Sequence, residues 1–136
     1  YIFDLDRMIA FEGNTGPYIQ YAHARISSIL MKAEKQEIQC QDAKILLDTS
    51  EEKQLGLAIM RYPQVVQETA DQLEPKRHCT YLYDLANTYS TFYQGCPVLK
   101  NDDEGVRASR LRICSMTRRI LADGLALLGI ESPSRM

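Results

Sequence analysis

Apolar residues recur at three- and four-residue steps through most of the chain, and no stretch alternates for long enough to make a strand. The clearest stripe is Leu82, Leu85, Tyr89, Phe92 and Tyr93, in a segment that Pro75 opens and Gly95-Cys96-Pro97 closes. Another helix carries Pro17 in its first turn, where the missing N–H has no partner to lose, and runs to about Ala33. Thr49-x-x-Glu52 has the form of a capping box and opens EEKQLGLAIMRY, after which Pro63 breaks the pattern and starts PQVVQETADQL. The last long helix is expected from Glu104 to Leu128, with Gly129 as its C-terminal cap. The pattern therefore predicts an all-α bundle of about five main helices, without a sheet or an internal repeat.

The helix behind Pro17 has two faces. At 3.6 residues per turn, Ile19, Ala22, Ile26, Leu30 and Ala33 share the side expected to face the core. Tyr18, Tyr21, Arg25, Ser28 and Lys32 fall on another side, roughly a quarter to a third of a turn away. Tyrosines with cations beside them suit splayed single-stranded bases, because rings take base faces and cations take phosphate or a base edge. The same tyrosines would also pack on a neighbouring helix with Arg25 lying over them, and periodicity alone favours that reading.

Length and charge narrow the picture. The 136 residues, 45% of them hydrophobic, make one domain with a real core. Sixteen Lys+Arg against eighteen Asp+Glu leave a net charge of −2, so any electrostatic site must be local. No apolar run approaches the roughly 20 residues that span a bilayer, and no cleavable signal is visible, so a soluble cytoplasmic protein is expected without a membrane partner. The chain begins at Tyr1 inside an amphipathic segment, which suggests a piece of a longer protein, and Met136 is read as a natural terminus.

Cys40, Cys79, Cys96 and Cys114 are unevenly spaced and hold no Cys-x-x-Cys pair. Buried free thiols are expected, and no metal site, although His78 and Cys79 are adjacent. Arg107, Arg110, Arg112, Arg118 and Arg119 make the last helix locally basic. Arg107, Arg110 and Arg118 fall near its leucine side and read as half-buried structural arginines, whereas Arg112 and Arg119 read as a solvated face.

The stretch YIFDLDRMIAFEGNTGPYIQYAHARI, then TYLYDLANTYSTFY and finally RASRLRICSMTRRILADGLALLGIESPSRM, resembles the C-terminal part of the arginyl-tRNA synthetases over nearly the whole chain. The resemblance implies a class I anticodon-binding domain of the DALR type over residues 1–136. It implies tRNA for arginine as partner, along with the catalytic domain of the same chain, in a monomer. Catalysis, which charges the tRNA using ATP with magnesium, would belong to that other domain. No catalytic residue and no cofactor is assigned to this fragment, which shows no nucleotide-binding signature. The resemblance assigns anticodon contacts to Tyr18, Tyr21 and Arg25 of the PYxQYAxxR motif, to Tyr93 closing TFY, and to the main chain of Met136. At the motif that names the domain type the chain reads Glu104-Gly105-Val106-Arg107 and keeps only the arginine. Met31 and Pro97 stand where some relatives have an arginine and a tryptophan. The alternative from another class is a helical protein-interaction module built on the Tyr18/Tyr21/Arg25 face, since the same residue types make interface hot spots.

Overall fold

The computed structural model describes residues 16–136; the amphipathic stretch of residues 1–9 and most of the loop ahead of Pro17 lie outside the described residues. Five helices and no strand are found among them: α1 (Gly16–Lys35), α2 (Ser50–Met60), α3 (Tyr62–Gln72), α4 (Pro75–Gly95) and α5 (Glu104–Leu127). Each start has a local cause. Pro17 and Pro75 sit in first turns, Thr49 caps α2 by accepting the Glu52 N–H, and the Asp103 carboxylate caps α5 by accepting the Val106 N–H. Pro63 lies in the first turn of α3, with Arg61 closing α2 and opening α3.

The ends of α1 and α5 share one device. After α5, the N–H of Gly129 donates to Ala126 and that of Ile130 to Leu125, with Gly129 at φ 73°. This is a Schellman closure, with Ile130 folded back onto the core. After α1, Glu37 donates to Glu34 and Ile38 to Ala33, but Glu37 takes the left-handed position at φ 58° without being a glycine.

Helix α1 packs mainly on α5, and α2 and α3 pack on α4. The centre of the bundle is a sealed cluster of Ile26, Leu55, Leu82, Leu85, Phe92, Leu111, Leu121 and Leu125. On α1 the expected face is buried at Ile19, Ile26 and Ala33 and half-buried at Ala22 and Leu30, and the seam also takes in His23, Ser27 and Ile29. On α4, Leu82, Leu85, Tyr89 and Phe92 are buried, while Tyr93, at the end of the stripe, turns outward. Close approach of α4 and α5 depends on Gly124, where a Cβ would stand 2.4 Å from Leu82 Cδ2. The buried His78 Nε2–H ties the same two helices by donating to the Gly124 carbonyl at 2.9 Å.

The arginines of α5 hold the connections in place. Arg110 pairs with the buried Glu52 at 3.1 Å and donates to the Pro97 carbonyl at 2.8 Å, and Arg107 donates to the Asn101 carbonyl at 3.2 Å. Arg112 departs from the solvated role expected of it. Its guanidinium donates to the Ala43 carbonyl, and beside it Ser109 Oγ accepts the Leu46 N–H at 2.8 Å, so the long segment between α1 and α2 is pinned to α5. Arg118 is half-buried and Arg119 exposed.

Candidate nucleic-acid interface

Helices α1 and α4 lie side by side, and the end of the chain returns to them to form a groove of about 760 Å³. Its walls are Tyr18, Tyr21, Ala22 and Arg25 from α1, Ala86, Tyr89 and Ser90 from α4, and Met136 from the tail. Three of these α1 residues, Tyr18, Tyr21 and Arg25, share one side across about two turns, because steps of three and four return side chains to one side of a helix.

The Arg25 guanidinium lies between two rings, its Cζ 5.7 Å from the Tyr21 centroid and 5.5 Å from the Tyr93 centroid. Tyr93 in turn stacks on the buried Tyr89, with centroids 6.2 Å apart and planes 17° from parallel. The result is a layered column of ring, cation, ring and ring, with its inner end anchored. Tyr89 cannot swing out, since its hydroxyl meets Cys114 Sγ at 3.6 Å inside the core, and burial pushes its phenol well above the ordinary range. At the outer end Tyr21 is 43% exposed and can offer a ring face to a ligand, while Tyr93, behind Arg25, is 38% exposed.

Tyr18 behaves differently. Its hydroxyl donates to Asn87 Oδ1 at 2.5 Å, and its ring packs at 5.5 Å on Tyr83 of α4. Burial raises its phenol pKa above 10.0. The packing reading of the aromatic face holds at Tyr18, a half-buried wall, whereas Tyr21 and Arg25 form an open rim. The structure brings Tyr18, Tyr21, Arg25 and Met136 around one groove, with Tyr93 joined to it through Arg25.

Residues that the motif reading passed over complete the site. Ala86, Tyr89 and Ser90 are buried or half-buried positions of α4, and their steps of three and four residues from Tyr93 were the available signal. Gln20 and His23 sit inside the motif but on its other side, and they bind the returning tail: Gln20 Nε2 donates to the Glu131 carbonyl at 2.8 Å, and His23 Nδ1–H to that of Pro133 at 2.9 Å. Chemically, the described residues of the groove offer ring faces, one cation held over two rings and main-chain polar groups of the returning segment. The four cysteines are free, with Cys96 and Cys114 buried and Cys40 and Cys79 half-buried, and among the described residues no cluster of His, Cys, Asp and Glu could hold a metal ion. No helix among them is long and apolar enough to cross a membrane.

The family model of the DALR anticodon binding domain matches residues 19–136. An arginine–tRNA ligase of Cutibacterium acnes is 46% identical over the whole of this chain and 26% of its own length, and one of Pasteurella multocida is 40% identical over the whole chain and 24% of its own. Among solved structures, the arginyl-tRNA synthetase of Thermus thermophilus superposes with a TM-score of 0.81 at 37% identity, over 93% of this chain and 22% of that one. That of Plasmodium falciparum superposes with a TM-score of 0.86 at 32% identity, over 100% of this chain and 24% of that one. The chain spans about a quarter of the length of the curated relatives it matches.

Proposed function

The chain belongs to the DALR anticodon binding domain family, and from that premise we propose that it binds the anticodon loop of tRNA for arginine as the C-terminal domain of an arginine–tRNA ligase. The parent would be a cytoplasmic monomer whose catalytic domain charges the tRNA using ATP with magnesium; this domain contributes recognition and no catalytic group.

The observation that carries the reading is the column of Tyr21, Arg25 and Tyr93 at the mouth of the groove. Unstacked bases of a loop can continue such a column, each base on an aromatic face contributing about 1–3 kcal/mol. Arg25 lies where an incoming phosphate or base edge would meet a cation already held by two rings. Tyr18, locked to Asn87, shapes the wall against which a base can rest. Met136 closes the groove, so main-chain groups of the tail are within reach of a base edge.

Binding of an anticodon stem-loop RNA to the full-length protein tests the proposal. Affinity is expected to fall as salt rises, because phosphate contacts release counterions. It is also expected to fall when the central cytosine shared by arginine anticodons is replaced. Weak salt dependence and indifference to that base would favour a protein partner on the same aromatic face.

A further inference from the structure

Resting on the reading of the groove as an anticodon site, we infer that Gln20 and His23 are positioning residues for base recognition, holding the C-terminal tail so that its last residues form a fixed wall of the groove. After the Schellman closure of α5, Ile130 packs on the core, and the next residues run back along α1. There the Glu131 carbonyl accepts from Gln20 and the Pro133 carbonyl from His23. A carbonyl can only accept, so His23 carries its proton on Nδ1. His23 is itself buried at 6% exposure, which leaves its ring little freedom to turn away from that bond.

The spacing explains why two anchors are needed. Met136 is 56% exposed and none of residues 134–136 belongs to the core, so their position follows from the hold on Glu131 together with the point where Pro133 is fixed. Those residues can reach about 10 Å from that point, which covers the mouth of the groove. A tail released at Pro133 would be held no nearer than Glu131, and one released at Glu131 would hang on a single hydrogen bond, so residues 134–136 would sample a larger volume in either case. Ordering it would then oppose RNA binding, whereas a tail already ordered does not. The motif therefore does two jobs with one helix: Tyr21 and Arg25 face the ligand, while Gln20 and His23, on the far side of the helix, hold the tail that supplies another wall.

The test compares Gln20→Ala, His23→Leu and His23→Asn in the full-length protein, measuring Kd for an arginine anticodon stem-loop RNA with its central cytosine and for the same RNA with uracil there. The readout is the ratio of the two constants. Gln20→Ala and His23→Leu are each expected to reduce that ratio by about fivefold, the worth of one hydrogen bond in an intramolecular setting. His23→Asn, which keeps an N–H donor near the Nδ1 position, is expected to restore most of it. Gln20 is only half-buried, so its variant tests the inference even where His23→Leu fails to fold. A ratio unchanged in Gln20→Ala and His23→Leu, while Tyr21→Ala still weakens binding, overturns the inference and leaves the groove reading standing. Equal weakening toward both RNAs without rescue by His23→Asn assigns the two residues a purely structural role and overturns it too. Failure of Tyr21→Ala to weaken binding removes the groove reading itself and the inference with it.

Discussion

The guanidinium of Arg25 on α1 stands 5.5 Å from the ring centroid of Tyr93 on α4, joining two helices through a contact that water also reaches. Contacts of this kind at exposed sites contribute about 0.5–1 kcal/mol, too little to hold a bundle together but enough to keep a cation aimed. Arg25→Ala should therefore leave the melting temperature nearly unchanged while lowering the slope of log affinity against log salt by about 1 for the anticodon RNA. Titrations at several salt concentrations check it; an unchanged slope would mean that Arg25 meets a base rather than a phosphate.

Gly124 should be the least replaceable glycine of the described residues. Alanine usually gains about 1 kcal/mol over glycine in a helix, but here its Cβ would stand 2.4 Å from Leu82 Cδ2 in a fully buried contact. Overpacking of that kind costs about 1–3 kcal/mol, so Gly124→Ala is expected to be a net loss in denaturant unfolding. In the Leu82→Ala background the same change should cost far less, since the colliding methyl groups are gone.

How much of this was legible from the sequence varies by the kind of information. Helix starts were legible at Pro17, Thr49 and Pro75, and the α5 stop at Gly129, because each signal lies within a few residues of its effect. The stop of α1 was not: Glu37 closes it in a left-handed conformation that composition gives no reason to expect. The aromatic face was legible as a pattern, but its division was not, since periodicity ranks faces without naming partners. Asn87, which fixes Tyr18, lies 69 positions away, and the tail carbonyls that bind Gln20 and His23 lie 111 and 110 positions away. Arg112 was misplaced for the same reason, since its acceptor is the Ala43 carbonyl of a loop without periodicity.

The buried pair of Glu52 and Arg110 predicts an asymmetry between single and double variants. Glu52 is the third residue of α2, yet its carboxylate accepts from Thr49 Oγ1 and Arg110 at 3.0 and 3.1 Å. Arg110→Met would strand that carboxylate in the core and free the Pro97 carbonyl, at a cost of about 3–5 kcal/mol. Glu52→Leu together with Arg110→Met should recover much of the loss, because no charge is then left without a partner. Equilibrium unfolding of the three proteins decides, and equal losses in single and double variants would contradict it.

High pH should lower the stability of the domain, first through buried thiols and then through buried phenols as well. Burial pushes the Cys114 thiol from its ordinary 9.0 up to about 12, and burial likewise raises the phenols of Tyr81 and Tyr89 above their usual 10.0. Above those ordinary values the unfolded chain has shed protons that the folded chain keeps, so stability falls with rising pH. The contribution of Cys114 is complete below pH 9.0 and is lost as pH climbs toward about 12, with the tyrosines adding to the fall from 10.0 upward. Melting temperatures on either side of pH 9.0 check this. Cys114→Ala should lessen the first part of the decline, to which the half-buried Cys40 and Cys79 still contribute, and leave most of the later, burial-driven part in place.

Tyr18 and Tyr21 share a helix face, yet they should respond in opposite ways to loss of a hydroxyl or a ring. Tyr18→Phe removes the hydrogen bond to Asn87 and leaves the packing on Tyr83, so it should lower stability by about 1 kcal/mol with little change in RNA affinity. Tyr18→Ala also removes a half-buried ring from the α1–α4 contact and should cost more, toward the lower end of the roughly 3–5 kcal/mol seen for fully buried aromatics. Tyr21→Ala removes an exposed ring whose one ring or cation contact among the described residues is with Arg25, so its melting temperature should stay close to the parent's. Its affinity for the anticodon RNA should instead fall by about 1–3 kcal/mol, the worth of one stacked base. Paired thermal melts and binding titrations on the three variants make the comparison. If Tyr21→Ala destabilised the fold as much as Tyr18→Ala and left binding alone, the open rim of the groove would be packing surface after all.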